Sequence, residues 1–495
     1  MKIMNKNKSG GYGKTAVMVF LGVVFVVVSG VLVLSQSGGN SSLGASLLGS
    51  SKEKTHAKAV IAQAAKIKAD VSKIDAKIKL AVAKNDQYIA GIKTAKNTSE
   101  QAKVGHTYGN PPPGAACAQL TQQDFDNASG SIVLNVTNGC YEITTDIQFD
   151  YPLIVIGGGA DTYFTCNNHT ITKKTAIGAA YTGFVVNNSK VKNCRSFERF
   201  DGFEVNRNGV VTDSTAIGNP GDGFAVFDNG QVMRSDSSNN GLGFYLNSSG
   251  SSVTDSTANN NQVGFLLIGG TVSNSSVVNS NIGFDIRNGD GKVFNSTASY
   301  NTTGFSVYGG EASYNTAINN IIGFWVVSGN VFRNTALNNQ DGFIIYGGNN
   351  NNHDNTAQNN TVVGFDVENG GRIVSSQATN NIGTGFVVYS GSVEQSQATG
   401  HANGYGFFLN NGATAKNILS NNNKDGVFVN AGALLRDGDE MCFDSEYGIF
   451  IANGGIVSGT FRSDKQIQGG GNWGGATIFP CGSRGGKEKS VNGGN

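Results

Sequence analysis

Four carboxylates stand at recurring places in this chain. Asp201 and Asp222 each come just before a Gly-Phe pair, and Asp285 and Asp366 come just after one. Carboxylates on consecutive repeats can be neighbours, and a pair of them can trade protons with a substrate or hold calcium. Asp beside Gly is also an ordinary turn residue, and Asp341 and Asp425 share that place, so the bland expectation is carboxylates that splay into water. Asp285 with Arg287 reads as a surface ion pair of little energetic weight. A second column, Tyr308, Trp325, Tyr346 and Tyr389, puts aromatics at repeat spacing. Such rings can stack on neutral sugars or form a protein-contact stripe, though aromatics also simply favour strands. The five histidines (His56, His106, His169, His353, His401) share no metal-ligand spacing with Cys or acids. No metal site and no cofactor is therefore expected, calcium being the one candidate.

What must position these residues is a repeat. Gly-Phe opens at Gly183, Gly202, Gly223, Gly243, Gly264, Gly283, Gly304, Gly323, Gly342, Gly364, Gly385 and Gly406, then fades to Gly426-Val427 and Gly448-Ile449. A fixed period near 20 residues marks a solenoid, whose units bury their apolar faces only by stacking. Within Gly264–Ile282, three short pieces (Phe265–Ile268, Thr271–Asn274, Ser276–Asn279) are parted by Gly, Ser and Asn. They are too short for helices and suit strands. Strand alternation turns Phe and the residue two later inward, as with Phe203 and Val205. It leaves Glu204, Tyr245, Asp285, Trp325, Asp366 and Phe408 outward. A V-x-x-S/N-T-A column (Val211–Ala216, Val253–Ala258, Val293–Ala298, Val331–Ala336) places a small residue at a narrow corner. Asn pairs such as Asn319-Asn320, Asn338-Asn339 and Asn359-Asn360 suit turns and can ladder from coil to coil.

These repeats, with the opening segment Tyr141–Ile171 and its Cys166-Asn-Asn-His-Thr-Ile171, resemble the right-handed parallel β-helices of the pectate-lyase-like and NosD-like families. Asn168 stands where the families carry Gly. The resemblance covers about 340 residues. It implies an all-β fold, a single right-handed parallel β-helix of about 14–16 coils, with substrate along the first-strand face in the enzymes. The fold hosts lyases, hydrolases, adhesins and inert scaffolds, so the family alone does not fix the activity. The face here is acidic to neutral, whereas polyuronate substrates need clustered Arg and Lys. The polygalacturonase series of motifs and a lyase calcium cluster are missing.

The chain has 495 residues, 70 Gly, 14% charged residues and net charge +1. Residues 1–103 hold 16 Lys against 5 acids, so the remainder is about −10 and makes a poor nucleic-acid binder. The six cysteines (Cys117, Cys140, Cys166, Cys194, Cys442, Cys481) show no zinc spacing; an even count on an exported chain favours disulfides, here near the two ends of the solenoid.

The N-terminus reads in segments. Residues 1–14 are basic and cytoplasmic, and 15–35 form an apolar transmembrane signal anchor about 30 Å long. Residues 36–51 are a Gly/Ser linker, and 52–104 an α-helical stalk. Its heptad columns are Val60, Ile67, Ile74, Ala81, Tyr88 and Ala57, Ala64, Val71, Ile78, Asn85, Ile92. Isoleucine on both columns leans to a coiled-coil trimer; the competing reading is a single helix packed along the solenoid. Residues 105–115 are a Pro/Gly linker, 116–182 the N-terminal cap and opening coils, 183–461 the β-helix repeats, and 462–495 a cap remnant with a Gly-rich tail.

The functional expectation is a membrane-anchored, extracellular or periplasmic, non-catalytic β-helix for surface structure, adhesion or glycan binding. Its partners would be the membrane, further copies and a glycan or cell-surface molecule. Coil spacings of 19 to 22 residues leave no room for a catalytic loop. The alternatives are a surface polysaccharide lyase or glycoside hydrolase, and a pilin-like filament subunit.

Overall fold

A computed structural model describes residues 104–481, apart from short stretches at 110–115, 138, 159–161, 176–180, 348–349, 438–439, 443, 464–465, 470 and 475. The expected anchor (15–35), linker (36–51) and stalk up to residue 103 lie outside the described residues, as does the tail from 482. Among the described residues no helix is long and apolar enough to cross a membrane.

The chain is a parallel β-helix repeat protein. Each coil contributes three short strands, as in Val263–Leu267, Gly270–Ser273 and Ser276–Val278. Each strand pairs in parallel with its counterpart one coil on, Phe265 with Phe284, Val272 with Val293 and Val277 with Ala298. Among the described residues the result is three long sheets with 18, 18 and 15 strands. We call them first, second and third in the order the chain visits them within a coil.

One apolar core runs inside the coils. Its spine is a column of twelve Phe rings, from Phe184 to Phe407, stacked nearly parallel. Neighbouring centroids are 4.5 Å apart at Phe244–Phe265 and 4.9 Å at Phe265–Phe284, with interplanar angles of 6° and 11°. The rings cannot choose their spacing, because parallel strands lie about 4.8 Å apart and every Phe sits at the same register. The preceding Gly is set by close approach. A Cβ on Gly323 would lie 2.5 Å from the carbonyl oxygen of Gly342 and 3.0 Å from the Ala336 methyl.

Two polar ladders line the corners. In the first, the backbone N–H of one coil donates to the side-chain oxygen of the next: Asn301 to Asn320, Asn320 to Asn339 and Asn339 to Asn360, at 2.8, 2.8 and 2.9 Å. Of each Asn pair, the first residue takes left-handed backbone (Asn319, Asn338 and Asn359 all at φ 55°), and the second is the buried rung. The second ladder uses the S/N of the V-x-x-S/N-T-A column, for instance Ser214 to Ser235 and Asn315 to Asn334. Burying an amide is costly unless it is bonded, and these rungs satisfy backbone and side chain together. At the start of the first ladder stands Arg199, 1% exposed, whose guanidinium donates to the carbonyls of Phe149, Asp150, Tyr151 and Thr182. At the other end, Asp444 accepts from the N–H of Asn423 at 2.9 Å.

The ends differ from expectation in detail. Val104–Tyr108, read as the edge of a helix and linker, is the first strand of the first sheet and pairs with Ser131–Leu134. Tyr108 donates to Asp124 at 3.0 Å and packs on Tyr141. The cap holds one short helix, α1 (Gln122–Asp126), which buries Phe125 against Phe149. Strands continue past residue 461 to Thr477–Phe479, beyond the point where the Gly-Phe signal dies. The cysteines pair in sequence order: Cys117–Cys140, Cys166–Cys194 and Cys442–Cys481.

Candidate functional site

The outward column of the first sheet is where the chemistry-bearing residues gather. Alternation along each first strand turns Phe in and its successor out, and the register then stacks those successors. Asp285 pairs with Ser306, Ser306 with Trp325, Trp325 with Ile344, and Ile344 with Asp366. A second outward column comes from the residue before each Gly-Phe, where Asp222, Leu242, Val263 and Ile282 stand in register.

This face is not the water-lapped surface that alternation predicts. Asp201, Asp222, Asp285, Asp341 and Asp425 are 1–4% exposed, and Asp366 is 8% exposed. Leu242, Val263, Leu266 and Ile282 form an apolar cluster of their own, separate from the core, with Tyr245 against it. Alternation fixes which way a side chain points and says nothing of what covers it, which is why the sequence reading erred.

The acids therefore do local work. The Asp201 carboxylate accepts from the N–H of Asp222 at 2.7 Å, so these two form a coil-to-coil cap and do not splay into solvent. Asp285 receives Arg287 at 2.8 Å with only the arginine partly exposed, a half-buried pair in place of the expected surface one. Asp366 has the most altered chemistry. Burial lifts its carboxyl well above the usual carboxylate range, and Glu368 and Asp341 push it further. Burial also raises Glu368, and it raises Tyr389, to which Asp366 and Glu368 add. Asp285 and Asp366 sit four coils apart, about 19 Å at strand spacing, too far to act as a carboxylate pair on one bond. Among the described residues no three His, Cys, Asp or Glu come together as a metal site.

The expected aromatic column is present as two runs. Tyr308, Trp325 and Tyr346 follow one another at 6.4 and 6.5 Å, tilted and half-buried. Tyr389 leads into Phe408, which stacks on Phe428 at 5.1 Å. These rings meet each other first, and their free area is small.

Sequence reasoning missed a second aromatic group, in which Tyr314 faces water and Phe332 and His353 are half-buried. Phe332 and His353 stack at 5.1 Å on the outside of the second sheet. Tyr314, 49% exposed, stands edge-on to Phe332, with the Arg333 guanidinium 5.5 Å from its ring. Arg333 donates to the Tyr314 hydroxyl and lies 3.7 Å from Asp354. Tyr314 and Arg333 each take left-handed backbone, which points them off the sheet corner. The signal was legible as bulky residues at positions where most coils carry Asn or Asp.

A shallow cleft of about 620 Å³ lies between α1 and the third sheet, lined by Gln122, Asp126, Lys174, Arg195 and Phe197. Its Lys174 is already paired with Asp126 at 2.8 Å.

No protein-family model matches the chain, and no curated protein does. Among solved structures it is similar to two from Azotobacter vinelandii. The mannuronan C-5 epimerase AlgE4 A-module is 14% identical with a TM-score of 0.24, over 76% of this chain and 100% of that one. The AlgE6 A-module is 13% identical with a TM-score of 0.20, over 73% and 94%. Similarity this low extends to neither substrate nor reaction.

Proposed function

We propose that this chain is a non-catalytic surface β-helix, anchored in the membrane by residues 15–35 and displayed outside the cell for adhesion or recognition of a glycan or neighbouring protein. The observation that carries the reading is the uninterrupted register of the first sheet from Phe184 to Phe407, into which no long loop intrudes. Active sites on solenoids are built from loops that break the repeat. The candidate acids are instead absorbed as caps and buried pairs. Recognition is assigned to the exposed Tyr314 and Arg333 with the half-buried Phe332 and His353 beside them, because a ring open to water with a cation at its face suits sugar faces and protein anchors alike.

The test is to incubate the purified protein with a polysaccharide panel, with and without calcium, and to measure cell-surface binding alongside. The expected result is no cleavage product, together with binding that Tyr314→Ala and Arg333→Ala reduce together. A second reading, a polysaccharide lyase or hydrolase, draws on one observation: burial raises the Asp366 carboxyl well above the usual carboxylate range beside Tyr389, the direction a general acid requires. Cleavage that disappears in Asp366→Ala would establish that reading in place of the first.

A further inference from the structure

The third sheet opens with a step. Its first strand is Ile147–Gln148, and α1 takes the place of a strand before it. The Gln122 carboxamide imitates a strand there, donating to the Gln148 carbonyl and accepting from the Gln148 N–H, both at 2.9 Å. A helix with its side chains is about 10 Å across, thicker than a strand, so α1 stands up from the sheet as a wall. The floor is the outward side of the following coils. Register sets it in two columns, Thr170 beside Arg195, and Gln148, Thr172, Phe197 and Ile217. Wall and floor enclose the cleft of about 620 Å³, and the Lys174–Asp126 pair ties α1 to the chain just past Thr172.

Arg195 is the cation this cleft leaves open. Around it Lys173 pairs with Glu198 at 3.4 Å, Lys174 with Asp126 at 2.8 Å, and Lys192 lies over the Tyr163 ring. The exposed Arg195 guanidinium has no hydrogen-bond or ion-pair partner among the described residues. Two residues along the same strand, on the same face and about 7 Å away, Phe197 is 38% exposed. A guanidinium is a planar fork that fits a carboxylate, and an aromatic face suits the apolar side of a pyranose. The Gln148 amide and the Thr170 and Thr172 hydroxyls line the same cleft and suit sugar hydroxyls. A peptide fits less well, because Gln122 of α1 already occupies the backbone edge that an added strand would use. A polyuronate fits less well too, because its evenly spaced charges would meet Asp126 and Asp146 on the same lining.

We propose that this cleft binds a glycan ending in a single carboxylate-bearing pyranose. The Arg195 guanidinium takes the carboxylate in its fork, the sugar ring lies on Phe197, and the neutral remainder of the glycan runs past Thr170 and Thr172. The site stands apart from the Tyr314 patch and does not rest on it, so either can fail while the other stands.

The experiment titrates the full-length protein in detergent micelles by calorimetry. The probes are 3′-sialyllactose and methyl β-glucuronide, two sources of the same carboxylate-bearing ring. Lactose and tetragalacturonate serve as the neutral and the evenly charged counterparts. At least one acid probe is expected to bind at one site per chain with Kd of about 1 mM or below, and both counterparts about tenfold more weakly or worse. Arg195→Gln should weaken the acid probe about tenfold or more and leave the unfolding midpoint where it was, since the guanidinium holds no other group. Phe197→Ala should weaken it about three- to tenfold. No binding of either acid probe up to about 10 mM would overturn the proposal. So would tetragalacturonate binding tighter than both acid probes, or a peptide such as acetyl-Gly-Gly-Leu binding tighter than both through Arg195. Binding that Arg195→Gln leaves intact and Arg333→Ala removes would overturn this site and leave the Tyr314 reading standing.

Discussion

Replacing His401 with asparagine isolates one acid-sensitive rung of the first ladder. His401 stands where Asn381 and Asn423 stand on the coils either side, fully buried. Its N–H donates to Asn423 at 3.0 Å, its Nδ1 lies 3.2 Å from the carbonyl of Asn381, and its Nε2 has no hydrogen-bond partner. Burial dominates its titration and lowers the imidazole pKa from 6.5 to about 4. A depressed histidine pKa means that the unfolded chain binds the proton first. Stability is therefore complete above pH 6.5, falls as pH drops through the interval, and stops falling near pH 4, where the folded form protonates too. The gap of about 2.5 units corresponds to about 3 kcal/mol at 1.36 kcal/mol per unit. Asparagine at this position restores the rung and titrates nowhere. Urea unfolding of both proteins at pH 7.5 and 4.5, with exchange of the Tyr405–Asn410 amides as a local probe, gives the comparison. His401→Asn should gain about 2–3 kcal/mol over the parent at pH 4.5 beyond any gain at pH 7.5. Parallel stability curves across that range would refute the buried-neutral assignment.

Further outcomes follow from the packing. Phe305→Ala removes a fully buried ring from the stack, and a loss of about 3–5 kcal/mol in denaturant unfolding is expected. Asn339→Ala takes the acceptor from the Asn320 N–H and the donor from the Ala317 carbonyl, which should cost about 2–4 kcal/mol. Gly323→Ala drives a methyl into the Gly342 carbonyl and should destabilise even though alanine suits strands better than glycine. Reduction of Cys117–Cys140 and Cys166–Cys194 frees loops of 23 and 28 residues, and each should cost about 3 kcal/mol, read as a lower unfolding midpoint in reductant.

Much of the fold could be read from residue types, because a 20-residue period forces the same side chain to the same register every coil. The inward Phe and Val, the left-handed first Asn of each pair and the small corner Ala all follow from local rules. What failed to read was whatever depends on neighbours far along the chain. Ser214 and Ser235 look like filler in sequence, and only stacking makes them a ladder. Val104–Tyr108 gains its strand character from pairing with Ser131–Leu134, not from its own composition. The site was legible as a set of residues but not as an environment. Asp201, Asp222, Asp285 and Asp366 were named from their spacing, whereas their burial and the raised Asp366 depend on what surrounds the outer face. Tyr314 and Arg333 escaped notice because they occupy corner positions, outside the alternating pattern that singles out strand residues.

The stacked-coil account is tested most directly by distances between spin labels on one exposed column of the second sheet. Lys190, Gln231 and Asn330 lie on that column, with Gln231 five coils from Asn330 and Lys190 seven. At one strand spacing per coil, electron–electron double resonance should give about 24 Å for Gln231–Asn330 and about 34 Å for Lys190–Asn330, each as a single narrow peak. Distances that do not grow in proportion to the number of coils would contradict it.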